Sequence, residues 1–245
     1  MFATPVYAAT AAEGAAEQAA EHGGALFTLF DWLEVSSVTT TTWGLILILA
    51  IISFLATRKL ERIPTRRLQI SLELILDKLL GFLAGVIGDE KKAKRYFPIL
   101  ATFFLLILTA NYSGLLPGAG HVPGLQAPTS TWSVTIAFAI VVFFATHYYG
   151  IKAKGIAGYL KHFVEPVPFL LPLNILEEFT KPLSLSLRLF GNIYGEEMVI
   201  AGLFSLMPFF LPIPIQILSL LFGFIQALVF TLLASIYIST AASGH

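Results

Sequence analysis

The chain has 245 residues, 56% of them hydrophobic and only 12% charged, with no net charge at pH 7 and no cysteine. A soluble domain carries about 25% charged residues, so this is the composition of a polytopic membrane protein. Neutrality gives no reason to expect a nucleic-acid partner. Without cysteine there is no disulfide framework, thiolate metal site or cysteine nucleophile.

Residues 1–37 hold Glu13, Glu17, Glu21, Asp31 and Glu34 and no Lys or Arg. The basic start and apolar core of a signal peptide are missing. The expectation is a loosely ordered extracytoplasmic polar tail ending in a short interfacial helix at Ala25–Leu33. Residues 38–245 read as a single membrane-embedded helical domain. Its first span, Val38–Thr57, has Trp43 as an interface anchor and a length near the 20 residues that cross a bilayer once. Over residues 65–88, Leu68, Leu72, Ile75, Leu76, Leu79, Phe82 and Leu83 recur at three- and four-residue steps among Arg66, Arg67, Glu73, Asp77 and Lys78. That pattern suits an amphipathic helix on the membrane surface. The run from Asp89 to Arg95 reads as a solvated charge cluster.

The second span runs over Tyr96–Leu116 and carries Asn111 near its far end. After the Gly/Pro loop 118–128 the third span covers Thr131–Tyr149, followed by a polar connector, Gly150–Glu165. A long helix is expected over Leu173–Leu206, a proline-rich turn over Met207–Pro214, and a last helix over Ile215–Thr240 with no charge in it. Both long helices exceed a single crossing at 1.5 Å per residue, so they should tilt. The fold class is therefore all-α: a polytopic membrane protein with five membrane-embedded helices, the last two long and oblique, and an amphipathic helix on the cytoplasmic surface. Thirteen of the fifteen basic residues lie in the 58–95 and 150–165 loops. The positive-inside rule makes these loops cytoplasmic, with the N-terminus outside and the C-terminus inside.

The other two basic residues, Lys181 and Arg188, share the run from Lys181 to Glu197. An Arg at a helix centre costs roughly 2.5–3.5 kcal/mol on insertion scales and is by default a functional residue. At 100° per residue Lys181, Ser184, Arg188, Asn192 and Gly195 form one stripe, kept low by Gly191 and Gly195 so that another helix can approach. Glu197 falls about 180° away from Arg188, and Glu196 about 80° round. Neither has the three- or four-residue spacing of a neutralising pair with Arg188. The stripe is prepared for something outside the chain, and the Glu197 face for water or a neighbouring helix. On the last helix Gln226 and Ser219 are candidates either for the same site or for packing hydrogen bonds.

The run from Leu173 to Asn192 with its R-L-F-G-N core, then Glu197, then Ile225-Gln226-Ala227-Leu228-Val229-Phe230, resembles subunit a of F-type ATP synthases. Ala110-Asn111-Tyr112-Ser113-Gly114-Leu115-Leu116-Pro117 and Gly150-Ile151-Lys152-Ala153-Lys154-Gly155 are similar to further segments of that family, and the likeness spans about residues 40–240. The resemblance implies an ion-translocating stator subunit without nucleotide chemistry, cofactor or metal. It would pack on the c-ring through its two long helices and assemble with peripheral-stalk b subunits in a bacterial inner membrane or an equivalent energy-transducing membrane. Two aqueous half-channels would end near the ring without meeting.

By motif, Arg188 would face the c-ring carboxylate, Asn192 and Gln226 would line its neighbourhood, and Glu197 would be the channel carboxylate behind it. Glu177 or Glu178 would lie toward the cytoplasmic half-channel, and Asn111 and Ser219 would belong to the path. The chain departs from many relatives in having Thr131 and Ser133 in place of Asp and Asn, and Ser219 where some carry His. Glu196 or His121 would stand in for the missing groups. Two other classes compete on sequence: a secondary transporter using Arg188 to bind an anion, which weak two-fold repeats would favour, and an intramembrane hydrolase, which the near absence of Asp from the spans argues against.

Overall fold

A computed structural model describes residues 25–30, 33–58, 67–115, 127–164, 169, 171–206 and 212–243. Two short antiparallel strands, β1 (Ala25–Phe30) and β2 (Leu33–Ser36), precede the first helix. The interfacial helix expected at Ala25–Leu33 is therefore replaced by a hairpin. The reason is local: Leu26-Phe27-Thr28-Leu29-Phe30 has the aromatic and β-branched content that favours strands. The rest of the 1–37 tail lies largely outside the described residues.

Helix α1 (Ser37–Thr57) leads directly out of β2. Most of its large apolar side chains, Leu47 and Phe54 among them, are exposed, as suits a helix facing lipid. Thr42 bonds back to the Val38 carbonyl at 2.7 Å and Thr57 to that of Ser53 at 2.8 Å. This back-bonding satisfies hydroxyl groups within the helix itself.

Helix α2 (Arg67–Ile87) turns Leu79 and Leu83 into the core, with Leu76 and Ile87 packed against it, and leaves Ile75 and Phe82 exposed. Helix α3 (Glu90–Ser113) begins six residues before the expected span. Asp89 caps it, accepting from the Lys91 and Lys92 amides at 2.9 and 3.2 Å, and Lys94 pairs with Glu90 at 2.6 Å one turn on. The charge cluster is thus the capped first turns of a helix rather than a loop.

A 3-10 turn at Pro128–Ser130 leads into α4 (Trp132–Val164), which continues well past Tyr149. Its backbone breaks at Gly155, where φ is 74° and ψ 164°, a conformation that glycine adopts without steric cost. Beyond the break the chain turns Tyr159 back onto α4. A Cβ added at Gly150 would lie 2.5 Å from the Tyr159 ring, so Gly150 is the notch that receives it.

Helices α5 (Leu171–Leu206) and α6 (Pro212–Ala242) are 36 and 31 residues long. At 1.5 Å per residue they extend roughly 54 and 46 Å, far beyond a hydrocarbon core of about 30 Å. Helix α5 runs on through Pro182, which leaves the Glu178 carbonyl without its helical rung.

Among the described residues, four helical segments are long and apolar enough to cross a membrane: Val38–Thr57, Glu90–Ser113, Trp132–Tyr159 and Ile213–Ala242. Helix α5 carries six charged residues and joins them as the fifth embedded helix through its packing. The core lies where α3, α4, α5 and α6 meet, around Leu100, Phe103, Ile107, Val142, Leu185, Leu189, Phe230 and Ile238. The Phe103 and Phe230 rings sit 5.7 Å apart, and fully buried Ala227 and Ala234 let α6 approach its neighbours.

Candidate functional site

Leu185, Ser186, Leu189 and Ile193 form the buried face of α5, with Ser186 donating to the Thr135 hydroxyl of α4 at 3.2 Å. Burying that face turns Leu183, Leu187, Arg188, Gly191 and Asn192 outward. Arg188 forms no ion pair or hydrogen bond with any of the described residues. Gly191 and Gly195 have open space where a side chain would stand. Apolar Phe179, Leu183, Leu187 and Val199 of α5, with Ile217, Leu221 and Phe222 of α6, are exposed as well.

One turn beyond Arg188, the Asn192 side-chain amide donates to Gln226 Oε1 of α6 at 2.8 Å. Gln226 is buried, and its Nε2 has no partner among the described residues. Glu197 lies on the face of α5 opposite Arg188, and Glu196 between the two. Glu196 is within hydrogen-bond reach of Ser219 on α6, and Glu197 within reach of Ser130 in the 3-10 turn. The Ser219 hydroxyl also bonds back to the Ile215 carbonyl at 2.8 Å. The opposite faces expected for Arg188 and Glu197 are the ones the helix adopts.

Two cavities adjoin these carboxyl groups. The larger, about 400 Å³, lies between α5 and α6 and is lined by Asn192, Gly195, Glu196, Ser219, Ile215 and Phe222 among others. A smaller one of about 20 Å³, enough for a water molecule, is lined by Asn111, Gly114, Ala127, Glu196, Glu197, Ser219 and Gly223. Glu196 and Ser219 line both. A carboxyl group at a shared wall can exchange protons with either space.

Near the other end of α5, Lys181 Nζ is held by Glu178 at 2.8 Å and Glu177 at 3.3 Å. These are ordinary i,i+3 and i,i+4 helix pairs. The half-buried Lys181 head and Glu178 line a gap of about 10 Å³ with Thr146 and Tyr237. Thus Lys181 leaves the Arg188 stripe to neutralise its own neighbours, and Arg188 is left as the unpaired cation of α5 among the described residues.

Asn111 is buried and spends both ends of its amide. Its Nδ2 donates to the Gly223 carbonyl at 3.0 Å, and its Oδ1 accepts from Thr129 at 2.8 Å. Thr131 bonds back to Pro128 and Ser133 is exposed, so neither meets a carboxyl group among the described residues. The hydroxyls that do meet this region are Thr129 and Ser130, which the sequence reading passed over. Their signal was the Pro128-Thr129-Ser130 start of a turn immediately before a span. His121 lies outside the described residues.

The sequence model of a family described as ATP synthase A chain matches residues 39–239. The chain is 46% identical to ATP synthase subunit a of Moorella thermoacetica over 213 residues, covering 87% of this chain and 94% of the relative. It is 42% identical to ATP synthase subunit a of Gloeobacter violaceus, with 84% and 83% covered. With the chloroplastic ATP synthase subunit a of Bigelowiella natans the identity is 41%, over 84% and 85%. A polytopic helical bundle matched over this much of its length belongs to the ATP synthase subunit a family of membrane-sector subunits.

Proposed function

We propose that the chain is the ion-translocating stator subunit of an ATP synthase. It forms two aqueous half-channels that carry protons to and from a carboxylate on a c-ring. Arg188 separates the half-channels and couples ion flow to rotation, and the subunit itself performs no nucleotide chemistry. The observation that supports this best is the placement of Arg188. It is exposed and unpaired among the described residues, midway along α5 between two acidic clusters. Seven residues separate it from Lys181 and eight from Glu196, roughly 10–12 Å either way along the helix.

An arginine stays charged at any working pH, so it acts as a fixed counter-charge and not as a relay. Carboxyl groups relay. The outer half-channel runs from Glu197 through Glu196 and Ser219 into the larger cavity, and so to Asn192 and Gln226 beside Arg188. Asn111 lines the outer part, and the cytoplasmic half-channel opens at Glu177 and Glu178. The exposed apolar surface around Arg188 receives the c-ring, and the peripheral-stalk b subunits hold the chain in the bilayer. The membrane is a bacterial inner membrane or its equivalent, with residues 1–37 and the N-terminus outside and the C-terminus cytoplasmic.

The test is ATP-driven proton pumping in membranes carrying the assembled complex. With Arg188→Ala, coupled pumping is expected to fall to background while the complex still co-purifies with its c-ring. Retained coupled pumping would refute the role of Arg188. Failure of the native chain to co-purify with any ring would refute the stator reading.

A further inference from the structure

Helix α6 carries Ser219, Gly223 and Gln226 at steps of four and three residues, within one arc of its surface. Gly223 sits between the two polar residues of the proposed path, and the end of α3 grips the helix there. Asn111 Nδ2 donates to the Gly223 carbonyl at 3.0 Å, and Tyr112 Oη donates to the Leu220 carbonyl at 3.1 Å. Both carbonyls belong to a helical ladder, and a carbonyl oxygen has a second lone pair with which to accept.

A Cβ at Gly223 would lie 3.3 Å from Asn111 Cβ and 3.4 Å from the Tyr112 ring, tighter than ordinary contact. The missing side chain therefore sets the distance between α3 and α6. Asn111 is itself fixed by Thr129, which is fully buried and donates to Oδ1 at 2.8 Å. The grip thus ties three elements together: the 3-10 turn, α3 and α6.

We infer that this grip is a positioning clamp. Asn111, Thr129 and Gly223 fix the height and rotation of α6 so that Ser219 meets Glu196 and Gln226 meets Asn192. Asn111 thereby serves the path by holding α6 rather than by carrying the proton. This rests on the proposed function, because it is the proton path that the clamp aligns. The chemistry agrees: both ends of the Asn111 amide are engaged in fixed bonds, and an amide has no titrating proton to pass on at working pH.

The test uses assembled complex in membranes and exploits the absence of cysteine. Asn192→Cys with Gln226→Cys reports the α5–α6 alignment by cross-linking with a short bifunctional thiol reagent. Pumping and its pH profile are measured in the chain without these two changes. Thr129→Val keeps the side-chain volume and removes the donor to Asn111. Gly223→Ala keeps every polar group and wedges the helices apart. Each is expected to lower both the cross-link yield and coupled pumping by about 5-fold, the population shift that one buried hydrogen bond commands. The amount of assembled complex and the shape of the pH profile should stay as in the native chain, and Thr129→Ser should restore both readouts.

If Thr129→Val fails to assemble, Gly223→Ala carries the test. A native cross-link yield together with reduced pumping and a shifted pH profile would overturn the clamp and put Asn111 in the path itself. Native behaviour of Gly223→Ala in both readouts would overturn it as well. Pumping retained in Arg188→Ala would instead overturn the functional reading and leave the cross-link result standing.

Discussion

Arg188 is an unpaired cation, among the described residues, on the outward face of a membrane-embedded helix. Its cost, roughly 2.5–3.5 kcal/mol at a helix centre, goes uncompensated among the described residues, and the proposed function assigns the compensating charge to a partner. This makes the planar, always-charged guanidinium hard to replace. Arg188→Lys keeps the charge in water but offers a point cation that can deprotonate in apolar surroundings. Coupled pumping is expected to fall to background, and substantial pumping by the Lys variant would contradict the fixed-charge role. Glu196 stands at the shared wall of two cavities, and the proposed path uses it as the relay. Glu196→Gln keeps the shape and removes the exchangeable proton, and pumping should drop on the order of 10-fold or more. Unchanged pumping would remove Glu196 from the path. The opposite orientation of Arg188 and Glu197 was legible from a nine-residue phase difference on one helix. The partners of Asn111 were not, since Gly223 lies 112 residues away and nothing local signals which helix will pack there.

The spans were legible as elements because each is a long apolar run, and the bounds of α1 fall within one residue of expectation, but the start of α3 and the end of α4 were not legible. Helix α3 starts at Glu90 because Asp89 caps it, and α4 runs to Val164 through lysines that a hydropathy reading assigns to a connector. Apolar content decides where a helix can sit in a membrane, while caps and glycines decide where it stops. At 25–36 the short alternative won, a hairpin in which Phe27 pairs with Val35 and Thr28 with Glu34. The break at Gly155 is the clearest case of backbone outweighing composition: the chain bends where φ is positive, and Tyr159 closes onto Gly150. Gly150→Ala places a methyl 2.5 Å from that ring and 3.3 Å from the Ala241 carbonyl, which cannot retreat as a side chain can. Overpacking of this kind costs about 1–3 kcal/mol. The purified complex should therefore show a thermal transition a few degrees lower and faster proteolysis within 156–164, whereas native behaviour in both would mean that Tyr159 is not held in the notch.

Across the whole molecule, acidic groups lie on both sides of one arginine along a helix too long for a simple crossing. Each proton driven through such a path gains about 2.3 kcal/mol per 100 mV, provided its two mouths open on opposite sides of the membrane. Which acidic cluster faces which side depends on orientation, and the proposed orientation rests on the thirteen basic residues gathered in 58–95 and 150–165. In the proposed orientation, with α1, α3, α4, α5 and α6 crossing in turn, Glu177 and Glu178 would lie toward the cytoplasm, and Glu196 and Glu197 toward the outside beside the 3-10 turn. The cysteine-free sequence permits a direct check with single substitutions: Ser36→Cys before α1, Lys152→Cys in α4 and Ser243→Cys after α6. A membrane-impermeant maleimide applied to intact cells should modify the first alone, and applied to inverted vesicles the other two alone. Labelling of positions 36 and 243 from the same side would require an even number of crossings. Helix α5, with its six charged residues, would then return both its ends to one compartment, leaving no voltage across Arg188 for a motor to use.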